Sequence, residues 1–151
     1  MPERLDRDSE PWLLTLPIRI NPMKILIVED EALIAVGIEM TLTAAGHDVI
    51  GIADDLPKAV ALAREWRPDM AFVDIKLANN SNGVEVAHEL KAMDIACVFA
   101  TGNPPDPIKV RGLCLGYIAK PFTHRLILQT AAFVGRVLMG GNGAPRGFTH
   151  L

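Results

Sequence analysis

Four short runs of uninterrupted apolar residues punctuate the chain, and each stops at a polar side chain. They are Ile25-Leu26-Ile27-Val28, Met70-Ala71-Phe72-Val73, Cys97-Val98-Phe99-Ala100 and Tyr117-Ile118-Ala119. Runs of this kind, without polar alternation, suit strands covered on both faces by helices. A further strand is expected over His47 to Ala53. Helical spacing fills the gaps. Ile34, Ile38 and Ala45 stripe a first helix that stops at Gly46; Leu56, Ala59, Val60 and Ala63 stripe a second. Val86, Leu90 and Met93 face inward from a third, which Asn82 is placed to cap. Pro104, Pro105 and Pro107 forbid a regular helix start after Thr101, so the fourth helix should be short or late, from Pro107 to Leu113. A last helix begins after Pro121, capped by Thr123, and ends near Gly140-Gly141. Strand and helix thus alternate five times, which predicts an α/β fold, a doubly wound five-stranded parallel sheet. Right-handed crossovers would sandwich that sheet, with ligands beyond the carboxyl ends of its strands.

The last helix has hardly any polar side. Ile127, Thr130, Val134 and Leu138 can face the sheet, which leaves Leu126, Phe133 and Val137 pointing elsewhere. A helix apolar nearly all round should be covered twice. The expected cover is a partner or a twin subunit, making Leu126, Phe133 and Val137 interface residues. The rival is that Trp12, Leu13, Leu14 and Leu16 fold back over them. Residues 1–22, charged and then apolar but cut by prolines, look like an addition to the domain, because Met23 opens MKILIVEDE in the manner of a domain start. The domain is expected over 23–139, and the glycine-rich residues 140–151 as a flexible tail. With so little beyond the domain, output is expected to run through another protein.

Composition narrows the classes. A formal charge of −3 and the lack of a basic stripe give no case for nucleic acid. No apolar stretch approaches the ~20 residues of a membrane span, and the N-terminus makes a poor signal peptide. Cys97 and Cys114 form no CxxC pair and read as buried reduced thiols, in keeping with a cytoplasmic protein. His88 and His124 lack metal-ligand spacing and suit surface or capping roles, and Trp12 and Trp66 suit packing.

The chemistry lies at the strand ends. Glu29 and Asp30 follow the first run, Asp74 the second, Thr101 the third and Lys120 the last. In a parallel sheet these positions share one rim. Three carboxylates, a hydroxyl and an ammonium then converge where a hard divalent cation and a phosphoryl group could meet. Asp74 could be a ligand or a nucleophile attacking phosphorus in line, with Thr101 and Lys120 on the equatorial oxygens. A strand-end acid alone is often a turn residue, and a lysine before proline is often solvated. The convergence of the set carries the reading.

ILIVEDE, FVDIKL with the following NG, FATG and YIAKPF together resemble the response-regulator receiver domains of two-component signalling, over about Met23 to Met139. The resemblance implies the flavodoxin-like receiver fold with strand order 2-1-3-4-5. It makes Asp74 the phosphoacceptor and assigns Mg2+ (or Mn2+) to Asp30, Asp74 and the carbonyl of Lys76, with Glu29 acting mainly through water. It gives Thr101 and Lys120 the phosphoryl oxygens, Tyr117 the role of switch aromatic, and Lys120-Pro121 a cis peptide. Phe99-Ala100-Thr101-Gly102 is similar to a subgroup of stand-alone receivers, though Asn103-Pro104 interrupts that subgroup's pattern. Lys76 and Asn103 depart from the usual residues near the site.

The implied function is a single-domain response regulator, phosphorylated on Asp74 by a histidine kinase or phosphotransfer protein and signalling to an unidentified downstream protein. Its only catalysis would be its own phosphotransfer and autodephosphorylation. A phosphorylation-independent adaptor or dimerisation protein is the alternative. A metal-dependent hydrolase would want a further acid or base for an external substrate, and none stands out.

Overall fold

The computed structural model describes residues 21–151. Trp12, Leu13, Leu14 and Leu16 lie outside the described residues. The elements run β1 (Lys24–Val28), α1 (Ala32–Ala44), β2 (Asp48–Ala53), α2 (Leu56–Trp66), β3 (Met70–Val73), α3 (Gly83–Ala92), β4 (Ala96–Thr101), α4 (Pro107–Val110), β5 (Gly116–Ala119), α5 (His124–Leu138) and β6 (Phe148–His150). They build one sheet in the order β2-β1-β3-β4-β5-β6. The first five strands are parallel and have the expected order.

The uninterrupted apolar runs form the central strands because both sheet faces are covered. Leu26, Val28, Ala71, Val73, Cys97 and Phe99 pack with α2 and α3 residues such as Ala63 and Leu90. Ile25, Ile27, Met70, Phe72, Val98 and Ile118 pack on the other face with Ile38, Leu42, Ile127 and Val134 from α1 and α5. The caps fall where the sequence put them. Asn82 accepts from the Val84 N–H at 2.7 Å, and Thr123 accepts from Leu126 at 3.1 Å. The prolines shorten α4 to one turn, with Asp106 as its cap and Pro107 as its first residue. Both thiols are buried and unbridged.

Three expectations need correction. The segment expected to be a flexible tail instead ends in β6, antiparallel to β5. Its close approach is possible because residue 116 has no side chain: a Cβ there would stand 2.1 Å from the Thr149 carbonyl oxygen. Second, Phe133 is 3% exposed and not open to a partner. Its ring meets Phe148 edge-on at 4.9 Å and His150 at 5.9 Å. Leu126 and Val137 belong to the same cluster, with Phe148 and Ala144, so the chain's own C-terminal segment covers the second apolar face of α5. Third, Leu138 and Trp66 project outward, at 51% and 47% exposed, because each is the last residue of its helix.

Candidate functional site: an acidic pocket at the carboxyl rim

Backbone hydrogen bonds between adjacent strands align the rim. Asp74 N donates to the Val28 carbonyl at 2.8 Å, Glu29 N to Ala53 at 2.8 Å and Lys120 N to Thr101 at 3.0 Å. The side chains that follow the apolar runs are thereby brought together. Lys120 Nζ donates to Glu29 Oε1 at 2.6 Å and to Asp74 Oδ2 at 2.8 Å, with Glu31 Oε1 farther off at 3.4 Å. The Lys120-Pro121 peptide is cis.

α3 docks against the same rim. At Gly83 a Cβ would lie 2.0 Å from the Asp74 carbonyl oxygen, and Gly83 N donates to Ile75 O at 2.7 Å. The glycine after Asn82 is thus needed for contact with the backbone of Asp74.

Thr101 is fully buried, and its hydroxyl accepts from Asn103 N at 3.1 Å. The proton of that hydroxyl has the Asn103 carbonyl in reach at 3.4 Å. Asp30, Glu31, Asp74, Lys76, Gly102, Asn103 and Lys120 line an open pocket of about 260 Å³ beside this cluster. Tyr117, half-buried, sits on β5 between Phe99 of β4 and Thr149 of β6.

The converging oxygens are not quite the expected set. Carboxylate atoms of Glu29, Glu31 and Asp74 lie within 4.8 Å of one another; Glu29 and Asp74 are buried, while Asp30 and Glu31 are exposed and line the pocket. Glu31, which sequence reasoning passed over, is the N-cap residue of α1 but makes no side-chain cap bond, so its carboxylate is available to Lys120. Its place in the acidic run Glu29-Asp30-Glu31 was the one available signal. Glu29 is 3% exposed and touches Lys120 directly.

Three carboxylates around one ammonium leave an excess of negative charge in a largely buried place. Burial pushes the Glu29 carboxyl up to about 8, assisted by the neighbouring Asp74 carboxylate and opposed by Lys120. Burial also works against the ionised form of Asp74. There the nearby Glu29 carboxyl and the hydrogen bond from Lys120 outweigh it and hold the carboxyl below its ordinary value. Burial disfavours the Lys120 ammonium, but its bonds to Asp74 and then Glu29 raise it on balance. Burial therefore favours the protonated form of Glu29 at neutral pH, while Lys120 favours the ionised form of Asp74.

These residues fit a hard divalent cation. Glu29 Oε2 is buried with no hydrogen-bond partner among the described residues. Once Glu29 gives up its proton, that unpartnered oxygen, two neighbouring carboxylates and an open pocket supply the oxygen donors such an ion takes, with room for its waters.

The comparisons with known proteins agree with this geometry. The family model "Response regulator receiver domain" matches residues 25–132. Among curated proteins, the chain is 37% identical over 137 residues to the phyllosphere-induced regulator PhyR of Methylorubrum extorquens, covering 84% of this chain and 48% of that one. It is 34% identical over 129 residues to the phosphate regulon transcriptional regulatory protein PhoB of Pseudomonas aeruginosa, covering 80% and 56%. The chain thus spans about half the length of these relatives. Among solved structures, PhyR from Brucella abortus aligns with a TM-score of 0.67 at 28% identity, over 90% of this chain and 58% of that one. The receiver domain of Erythrobacter litoralis PhyR gives 0.68 at 26%, over 83% and 96%. The chain belongs to the response-regulator receiver family of two-component systems, signalling domains in which phosphorylation and magnesium are typical.

Proposed function

We propose that this protein is a phosphorylation-dependent signalling switch, and that Asp74 is the residue phosphorylated. The observation that carries this reading is the ionised, buried Asp74 carboxylate held 2.8 Å from Lys120 at the wall of an open pocket. A histidine kinase or phosphotransfer protein would present a phosphoryl group there. An Asp74 oxygen attacks phosphorus in line; the new O–P bond forms as the donor's N–P bond breaks, and the imidazole leaves with the electron pair.

Lys120 then has two tasks. Before transfer it keeps Asp74 ionised, and afterwards it can follow the added negative charge on its flexible stem. The Thr101 hydroxyl can exchange the Asn103 carbonyl for a phosphoryl oxygen. Glu29, Asp74 and the pocket acids Asp30 and Glu31 would hold a magnesium or manganese ion, with the Lys76 carbonyl as a further donor. The bound ion would supply charge neutralisation on the phosphoryl oxygens.

Phosphorylation shifts a pre-existing equilibrium only through contacts that differ between the two states. Those contacts are with Thr101 and Lys120, which end β4 and follow β5. Tyr117 on β5 is placed to carry the change to the surface. We assign the protein to the cytoplasm, with another protein as its output. A solved PhyR from Bartonella quintana, 27% identical with a TM-score of 0.64, is described as an anti-anti-sigma factor, which makes a protein target a reasonable kind of output here.

The arriving kinase has a surface to meet. On α1, beside the pocket, Leu33 and Met40 are 91% and 66% exposed, and Val36 lies between them. Apolar residues spaced at one helical face suit helix-to-helix docking.

The test is mass spectrometry of the intact protein after exposure to acetyl phosphate and magnesium. Gain of one phosphoryl group, lost in Asp74→Asn while the fold is retained, is the expected result. A protein that takes up none would be a phosphorylation-independent adaptor instead.

A further inference from the structure

The loop between β3 and α3 starts with Asp74 and carries the Lys76 carbonyl just beyond it, yet its middle is fastened to another part of the fold. Ala78 N donates to the Asp54 carbonyl at 3.1 Å. Asn79 Nδ2 donates to Asp55 Oδ2 at 3.0 Å, and Ser81 Oγ accepts from Leu56 N at 3.0 Å. These bonds tie the loop to the junction of β2 and α2. Its ends are fixed separately, by Gly83 N on the Ile75 carbonyl and by a bridge between Lys76 and Asn82. Leu77 is buried in the core between them.

Asp55 carries more chemistry than its own helix needs. Its Oδ1 accepts from Lys58 N at 3.0 Å and so caps α2, a task that a serine performs as well. The second oxygen of this buried carboxylate also needs a donor, and Asn79 supplies it. Asn79 does so from an uncommon backbone: it and Asn80 are left-handed, at φ +55° and +57°, a conformation asparagine tolerates better than most residues. The bonds from Lys58 and then Asn79 hold the Asp55 carboxyl below its ordinary value, so both remain charge-assisted.

We infer that Asp55 is a positioning residue for the acidic pocket: through Asn79 it holds the loop, and with it the Lys76 carbonyl, in place for a divalent cation beside Asp74. The inference rests on the pocket taking such an ion. Asp55 acts through the loop and not on the reacting groups. A donor already held in position spares the ion the cost of ordering the loop that carries it.

Magnesium is the probe, titrated by calorimetry into the full chain with no phosphodonor present. Asp55→Ser keeps the α2 cap and loses the bond to Asn79, whereas Asn79→Gly loses the same bond and keeps the left-handed backbone. Each should bind magnesium about tenfold more weakly, the lower end of the range for groups that orient a metal ligand. The two combined should bind no more weakly than either alone. Asp55→Asn should restore the wild-type affinity, because its amide can donate to an Asn79 side chain turned end for end. Urea denaturation in chelator follows the fold in parallel, and Asn79→Gly carries the test if Asp55→Ser does not fold. Variants that lose stability but bind magnesium like the wild type overturn the inference. So do effects that simply add, or an Asp55→Asn variant as weak as Asp55→Ser. A wild-type chain that binds no magnesium would overturn the pocket's assignment to a cation and this inference with it; equal binding by wild type and variants removes only the role of Asp55.

Discussion

Replacing Glu29 by glutamine should make the protein more stable, and only above the acidic range. Glutamine matches the protonated carboxyl in shape and remains neutral. The Glu29 carboxyl is 3% exposed and titrates near 8, against 4.5 for the unperturbed group. Between those two values the folded state holds a proton that the unfolded chain has released. Wild-type stability must therefore fall as pH rises through that window, and level off above pH 8. One pK unit is worth about 1.4 kcal/mol, so some 2.5 units separating 4.5 from 7 amount to about 3 kcal/mol at pH 7. That is an upper figure, because Lys120 and Asp74 readjust when Glu29 changes. The conservative expectation is 1–3 kcal/mol, or roughly 2–12 °C in Tm for a chain of this size. Lys120 keeps its bond to Asp74 in the variant, so no buried charge is stranded. Urea denaturation in the presence of a chelator, at pH 4.5 and pH 8, separates the outcomes. Wild type and variant should agree at the lower pH and diverge at the higher. An equal difference at both, or a variant less stable at pH 8, would show that the site does not impose the burial penalty assigned to the ionised Glu29. The same variant should bind magnesium more weakly, so stability is being traded for ion affinity.

Magnesium affinity should rise with pH up to about 8, because an ion at Glu29 must displace the proton that burial keeps there; calorimetry in buffers of different ionisation heat should register that proton, and a pH-independent affinity would exclude Glu29 as a ligand. Lys120→Ala should still accept label from acetyl phosphate yet show a weakened conformational response in the amides of β5, and a full response would remove Lys120 from the switch. Gly83→Ala should cost about 1–3 kcal/mol, the usual range for overpacking, since its Cβ cannot stand 2.0 Å from the Asp74 carbonyl without moving α3; chemical denaturation reads it directly. Phe133→Ala should cost about 3–5 kcal/mol as a buried ring leaves a cavity, and should free β6, read as faster amide exchange at Thr149 and His150.

The fold was legible because its signals are local. A run such as Ile25 to Val28 states its own burial, and Asn82, Thr123 and Pro107 each act within a turn of where they stand. The site was legible for a related reason: parallel pairing places the residues after each run on one rim, so Glu29, Asp74, Thr101 and Lys120 could be grouped before any distance was known. Which of the exposed acids reaches Lys120 was not legible. Asp30 and Glu31 are adjacent, and the choice depends on the first turn of α1, where Glu31 leaves its capping duty unmade and reaches Lys120 instead.

The cover of α5 was half legible. Leu126, Phe133 and Val137 announced an apolar face in need of a partner, and Phe148 and Leu151 were apolar residues without an assignment. Glycines around them suggested a loose tail, yet a tail that must cross back over a helix and slide along a strand edge requires bare backbone. Gly116 is the deciding residue, because its missing side chain admits Thr149 to the edge of β5. That role depends on two segments more than thirty residues apart meeting, and no window along the chain contains both. The consequence reaches function. The strand beside Tyr117 is supplied by the chain itself, with Thr149 opposite Tyr117 in the pairing of β5 and β6.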